Sequence, residues 1–430
     1  MQKAIENFRN LYKGLEAQID AGIEQNRKGN FKIAVKDKEG NPVQAELTVR
    51  QKSHSFDFGV APFMINDMGK DEAEYRKAVT DLFNLITTTF CWGVMETSEG
   101  VYRFDENSEY IYRRPPSDMM LKFAQNNGLK IKGQPLLADS WHPEWASRDE
   151  DKLKEQITNY IKKVAERYDG KFYLFDVVNE SFLCQRRTPD FPLLKDDSFG
   201  YVKWVLKTAS EIFSDKCILE RNEATGVNSG EKADRYYNEN KKLLEEGIRL
   251  DSIGFQFHFM TGDGVKNDLM QGIYNLNNLM ETYQKMSTLG VPMYISEITM
   301  CTVFDGMTTA EGETLQAEIL EKLYKLWFSI PSMRGIIFWN IKDGDTWQGE
   351  SACKGCLVDE FMRRKKSYYT LEHLIKNEWN TSFKATSDDN GVVDFRGFYG
   401  EYDVTVSYNG LTVNKTLELN KNNIKSIISL

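Results

Sequence analysis

The sequence predicts an α/β protein: a (β/α)8 TIM barrel with a small accessory β-sandwich formed from N- and C-terminal strands. Three observations carry that expectation. Between residues 54 and 377 short β-rich runs alternate with longer segments of helical period, the pattern of a parallel sheet covered by helices. Eight such runs can be counted in that span, which points to a closed barrel of about 250 residues or more. Further strand-like runs stand at both ends of the chain.

Taken in order, residues 1–30 are charged throughout and are expected to form an N-terminal helix. Residues 31–53 give two strand-type runs around the turn Lys38-Glu39-Gly40-Asn41-Pro42. The barrel is assigned to residues 54–379, with strands at 54–63, 85–92, 129–137, 172–180, 217–224, 252–259, 291–300 and 335–342. Leu153, Ile157, Tyr160, Ile161, Val164 and Tyr168 recur at spacings of three and four, the apolar face of a helix. Segments 190–197 and 304–313 read as loops after the fourth and seventh strands, on the face where barrels place their chemistry. Residues 380–430 hold about five strand runs, with Asn390-Gly391 and Asn409-Gly410 as hairpin signals. Residues 31–53 and 380–430 are therefore expected to share the accessory sandwich.

Composition narrows the function. Among 430 residues the net charge is −9, spread over mixed-sign helix faces, which argues against nucleic acid or an anionic membrane as partner. No stretch approaches the roughly 20 apolar residues of a membrane helix. A monomer acting on a neutral substrate is expected. The first 30 residues lack the apolar core of a secretory signal, so the chain is expected to be cytoplasmic, or secreted or periplasmic if a leader has been removed. Cys353-Lys354-Gly355-Cys356 invites a metal reading, but four zinc ligands need a second spaced pair. Small buried thiols or one local disulfide are expected instead, with no metal and no cofactor.

Two carboxylates stand out. Phe175-Asp176-Val177-Val178-Asn179-Glu180 closes the fourth strand with Asn-Glu, and Tyr294-Ile295-Ser296-Glu297-Ile298-Thr299 places a second Glu inside the apolar seventh strand. Burying an unpartnered charge costs several kcal/mol, so function is the economical explanation for both. A retaining glycosidase needs such a pair, one acid and one nucleophile, about 5 to 5.5 Å apart.

These segments resemble glycoside hydrolase family 10, best known for endo-1,4-β-xylanases. The ordered matches are Phe83-Asn84; Trp92 with Glu96 to Gly100; Gly133 through Pro143-Glu144-Trp145; Asp176 to Glu180; Asn222-Glu223; Gly254 to His258; Ile295 to Glu297; and Phe338-Trp339 with Asp343 and Trp347. The resemblance implies Glu180 as acid/base and Glu297 as nucleophile. Asn179, Gln256, His258, Trp339, Trp347, Gln134 and Trp92 are implied to bind a polysaccharide or oligosaccharide substrate.

The sequence departs from the family on the glycone side. Thr88 and Cys91 stand where Asn and Lys are usual, Gln134 and Ala138 where His and Trp are usual, and Thr299 replaces an Asp after the nucleophile. Sites that bond sugar hydroxyls discriminate strongly, so shifted specificity is expected, as is a weaker hold on a proton at His258. Two other readings stay open: a catalytically degenerate glycan-binding barrel, and a barrel β-glycosidase of different sugar specificity.

Overall fold

The computed structural model describes residues 1–138, 141–183, 191–194, 198–264, 267, 275–347 and 349–430. Cys184 and parts of the 190–197 loop lie outside the described residues.

Eight parallel strands form the barrel: β1 (Asp57–Val60), β2 (Leu85–Thr89), β3 (Lys130–Gln134), β4 (Leu174–Asn179), β5 (Ile218–Glu223), β6 (Ser252–Phe259), β7 (Met293–Met300) and β8 (Met333–Phe338). Each pairs with the next in chain order, β8 returns to β1, and the sheet closes. β2, β4 and β7 are buried along their whole length, as a sheet covered on one face by helices and filled on the other must be. The helix Glu150–Tyr168 buries the face read from its period, and Asp149 caps it by accepting from the Lys152 N–H at 2.9 Å.

Inward-facing side chains fall into layers. At the bottom lie Leu85, Leu174, Tyr294 and Ile337, with Asp57 held by Lys130 at 2.6 Å and by the Tyr294 hydroxyl at 2.7 Å. The middle layer is polar: Lys132 pairs with Glu220 at 2.5 Å and Asp176 at 3.4 Å, and Ser252 donates to Glu220 at 2.7 Å. Gly254 opens the space above it, since a Cβ there would stand 2.6 Å from Asn222 Oδ1 and 3.0 Å from Glu220 Oε1. The top layer holds the candidate site.

The helix Gln2–Arg27 packs on the helix Thr309–Ser329. Its Arg27 guanidinium donates to the Phe328 and Ile330 carbonyls and stacks on Phe56 and Phe328. The helix Thr309–Ser329 also corrects the loop expected at 304–313. Thr308 and Glu311 form a capping box, so the helix starts inside that segment; Thr-x-x-Glu was the local signal.

The terminal strands form two accessory sheets. Lys28–Lys36 lies between Val392–Phe398 and Lys425–Ser429, while Glu46–His54 lies between Ser382–Thr386 and Gly400–Tyr408, with Leu411–Leu419 at the edge. Their shared core includes Phe31, Ile33, Val49, Tyr402, Val404 and Val406. Asn409-Gly410 is a two-residue hairpin turn with both φ values positive. Asn390-Gly391 is not a hairpin. The strands on either side of it belong to different sheets, Ser382–Thr386 pairing with Glu46–His54 and Val392–Phe398 with Lys28–Lys36.

The five cysteines among the described residues are free and buried, including Cys353 and Cys356, which form no disulfide. Among the described residues no helix is long and apolar enough to cross a membrane. Because Gly254 leaves no room for a methyl group, Gly254→Ala is expected to destabilise the fold by about 1–3 kcal/mol. Thermal unfolding checks this, and an unchanged midpoint would contradict the packing described.

Candidate active site

At the C-terminal ends of the barrel strands a cavity of about 570 Å³ opens. Glu180, Glu297, Asn179, Gln256, His258, Gln134, Trp339 and Trp347 all line it. Residues that sequence scatters over more than 200 positions thus meet at one mouth. Trp92 does not join them. It is 1% exposed, its indole N–H donates to Glu96 at 2.7 Å, and its ring packs against Trp145 and Tyr160. The chain turns into the short helix Trp92–Met95 directly after β2, which sends this side chain into the core instead of the cavity.

Strand register explains the grouping. Asn222 on β5 pairs with Asn179 on β4, and Gln256 and His258 on β6 pair with Glu297 and Thr299 on β7. Irregularities between Glu220 and Arg221 and between Phe255 and Gln256 re-aim the following side chains, a frequent use of bulges at barrel rims.

Glu297 is 3% exposed and is met by three donors. Its Oε1 accepts from Gln134 Nε2 and from Asn222 Nδ2, the latter at 3.0 Å; its Oε2 meets His258 Nε2 at 2.9 Å. Asn222 Nδ2 also reaches Asp176 Oδ2 and Asn179 Oδ1, each at 3.0 Å, while its Oδ1 accepts from Ser296 at 2.6 Å. Asn222 is therefore the hub between the fourth and seventh strands. Asn179 Oδ1 takes a second bond from Gln256 Nε2 at 3.1 Å, which leaves its amide NH2 as the group to offer into the cavity.

Glu180 accepts from the same Gln256 Nε2 at 3.0 Å. Its φ of +56° places it in the left-handed region, a strained conformation for a residue with a side chain and one that concentrates at functional sites. Behind it, Glu223 fixes the turn. Its carboxyl accepts from the Ser181 hydroxyl and from the Phe182 N–H at 3.3 Å. Burial pushes Glu223 up to about 7, against the pull of Arg221 beside it.

Electrostatics in the layer below follow from burial. Burial raises the Asp176 carboxyl well above its ordinary range despite Lys132, with Glu220 and Glu297 as like-charged neighbours. A neutral Asp176 also tolerates the lack of any hydrogen-bond partner at its Oδ1. For His258, burial opposes the charged ring, but the hydrogen bond and charge of Glu297, with Glu350 and Glu180 beyond, hold it above the ordinary imidazole value. The Thr299 hydroxyl sits 2.9 Å from Nδ1, and Glu297 supplies the charge.

On the glycone side, Cys91 and Ala138 line the cavity, whereas Thr88 is buried in the barrel wall with its hydroxyl unpaired. Gln134 donates to Glu297 instead. Arg113, Arg114, Trp141 and Glu350, which no motif singles out, also line the cavity. Glu350 accepts from the Trp339 indole at 3.1 Å and from Asn340 at 3.0 Å, fixing the tryptophan wall. The only local signal was an Arg-Arg pair ahead of two prolines, in a stretch without helical or strand period. Among the described residues no cluster of His, Cys, Asp and Glu is arranged to hold a metal ion.

Comparison with known proteins gives a consistent relationship. The chain is 29% identical over 413 residues to the anti-sigma-I factor RsgI6 of Acetivibrio thermocellus, covering 94% of this chain but only 48% of that protein. This chain therefore spans about half the length of that relative. It is 23% identical to endo-1,4-beta-xylanase B of Thermotoga neapolitana, over 72% of this chain and 85% of the enzyme. Among solved structures, native xylanase 10B of Thermotoga maritima matches with a TM-score of 0.62 at 22% identity, covering 75% of this chain and 94% of that one. Xylanase 10B of Thermotoga petrophila in complex with xylobiose matches at 0.61 and 22%. At that identity the likeness speaks for the barrel fold. Residues 49–374 match the model of glycosyl hydrolase family 10, and with the match spanning most of its length, this chain belongs to that family.

Proposed function

We propose that the chain hydrolyses a β-1,4-linked, xylan-like glycan with retention of configuration, Glu180 acting as acid/base and Glu297 as nucleophile. The observation that carries this reading is that both carboxylates line one cavity and are held by separate sets of donors, Gln256 at one and Gln134, Asn222 and His258 at the other. The names of the xylanase relatives support the substrate class.

The donors also assign the atoms. Each carboxylate oxygen has two lone pairs. Glu297 Oε1 accepts from two side chains, whereas among the described residues Oε2 meets His258 alone, so Oε2 keeps a lone pair for attack on the anomeric carbon. Glu180 protonates the departing glycosidic oxygen as the bond to Glu297 forms. It then takes a proton from the water that hydrolyses the glycosyl-enzyme, as microscopic reversibility requires. The Asn179 amide donates to the sugar's 2-hydroxyl, a contact that strengthens as positive charge develops at the ring. Trp339 and Trp347 present ring faces to sugar C–H groups. The barrel and the two terminal β-sheets are read as a catalytic domain of residues 54–379 and a brace of residues 31–53 and 380–430, because the aromatic side chains Phe31 and Tyr402 are spent on the brace's own core.

One observation favours a second reading. The relative spanning 94% of this chain is named an anti-sigma factor, which fits a barrel that binds glycan and reports on it. Turnover separates the two. Native chain is expected to hydrolyse xylan-type oligosaccharides, and Glu297→Ala to lose at least about 10³-fold in kcat. Glu180→Ala should lose far more on poor leaving groups than on aryl glycosides with good ones, where no proton is needed. No turnover on a panel of β-glycans by native chain would favour the binding reading. A pH effect follows from Glu223: its folded value lies above its ordinary 4.5, near 7, so folding stability is full below pH 4.5 and falls as pH rises towards 7. Relative to Glu223→Gln, native chain should lose on the order of 3 kcal/mol across that window. Parallel melting curves against pH would contradict a buried, proton-retaining Glu223.

A further inference from the structure

Two adjacent arginines enter the cavity from the segment after β2, and they are treated differently. Arg113, with φ at +58°, is held through both terminal nitrogens: Nη2 donates to Asn340 Oδ1 at 2.7 Å, Nη1 to the Asp345 carbonyl, and the Glu350 carboxylate lies 3.9 Å away. Arg114 has one hydrogen bond among the described residues, from Nη1 to the Arg113 carbonyl at 2.9 Å. No described carboxylate forms an ion pair with it. Instead its guanidinium lies over three rings, 5.1 Å from Trp141, 5.5 Å from Trp347 and 5.9 Å from Phe63.

An arginine is charged at every accessible pH, and a partly buried cation without an anion is costly. The groups that share its side of the cavity do not neutralise it. Ala138 is apolar, and burial pushes the Cys91 thiol up to about 12, so it stays protonated near neutrality. The wall's own carboxylate, Glu350, already accepts from Trp339, Asn340 and the Trp347 N–H, the last at 3.1 Å. The cavity thus presents an aromatic box with a positive charge inside it that pairs with no carboxylate among the described residues, at the side where Cys91 and Ala138 stand in place of larger readers of neutral hydroxyls.

We propose that this cavity takes a glycan bearing a sugar carboxylate, a uronic acid, and that Arg114 receives it. The inference rests on the reading of the chain as a β-glycan hydrolase and names its substrate class. A guanidinium fork matches a carboxylate in a bidentate pair, about twice as strong as neutral hydrogen bonds, and the three rings fix the fork's plane while covering the apolar faces of the sugar. The carboxylate comes either from an acidic branch on the chain or from a uronate within the backbone.

Calorimetry with the non-hydrolysing Glu297→Ala variant tests this directly. The ligands are a neutral xylo-oligosaccharide, the same oligosaccharide with a glucuronic acid branch, its carboxyl-reduced counterpart, and an oligosaccharide with uronate in the backbone. At least one acidic ligand is expected to bind about tenfold or more tighter than its carboxyl-reduced form, and which one does so identifies the source. Adding Arg114→Gln should erase that ratio, Arg114→Lys should retain part of it, and melting temperatures monitor folding. Equal binding of acidic and reduced ligands overturns the proposal. So does an Arg114→Gln loss of the same size for both, which would make Arg114 a structural strut. If acidic ligands bind through Arg114 while native chain hydrolyses nothing, the carboxylate site stands and the hydrolase reading falls; if native chain cleaves neutral and acidic glycans alike, the hydrolase reading stands and the carboxylate site falls.

Discussion

The rest of the structure is organised around surrounding one buried carboxylate with hydrogen-bond donors inside a closed barrel. Glu297 is nearly inaccessible, and in so dry a place an ion survives only with donors aimed at it. Gln134 from β3, Asn222 from β5 and His258 from β6 provide them. Three strands must therefore keep their relative register for one side chain to work. The polar middle layer serves the same end. Lys132 and Glu220 pair directly beneath, and the raised Asp176 carboxyl limits the negative charge that accumulates under Glu297.

Much of this was legible in the sequence because it is written in local patterns. Eight strands are marked by β-rich runs, and a Glu inside an apolar run at Glu297 has few structural excuses. Asn179 and Glu180 announce themselves by closing a buried strand. The helix 309–329 was legible too, had Thr308-x-x-Glu311 been read as a cap. What was not legible depends on three-dimensional register and on irregular backbone. Trp92 sits three residues past the end of β2, where a single turn of helix decides between cavity and core, and nothing in its neighbours' periodicity fixes that turn. Arg113, Arg114 and Glu350 come from segments without a period, and only folding brings the first pair beside the last.

The same distinction applies to specificity. Substitutions on the glycone side read in sequence as losses, since Cys91 and Ala138 are smaller than what they replace. In the folded chain Gln134 instead holds Glu297, and a cation from an unrelated loop occupies the side that was vacated. The site therefore combines a pair of carboxylates with a separate wall of side chains, and on the proposed reading the two parts are separable: the first would govern whether a bond is cut, the second which sugar is presented. The accessory sheets stand apart from both, joined to the barrel where Glu46–His54 leads into β1 and filled by their own aromatic core.

The most direct measurement of the central claim is trapping of the covalent intermediate. Native chain would be incubated with an activated 2-deoxy-2-fluoro β-xylobioside, which slows breakdown of a glycosyl-enzyme, and the protein would then be mapped by peptide mass spectrometry. Stoichiometric labelling of the peptide that carries Glu297 is the predicted result. Labelling at a different carboxylate, or bond cleavage without any covalent species and with inverted product, would contradict it.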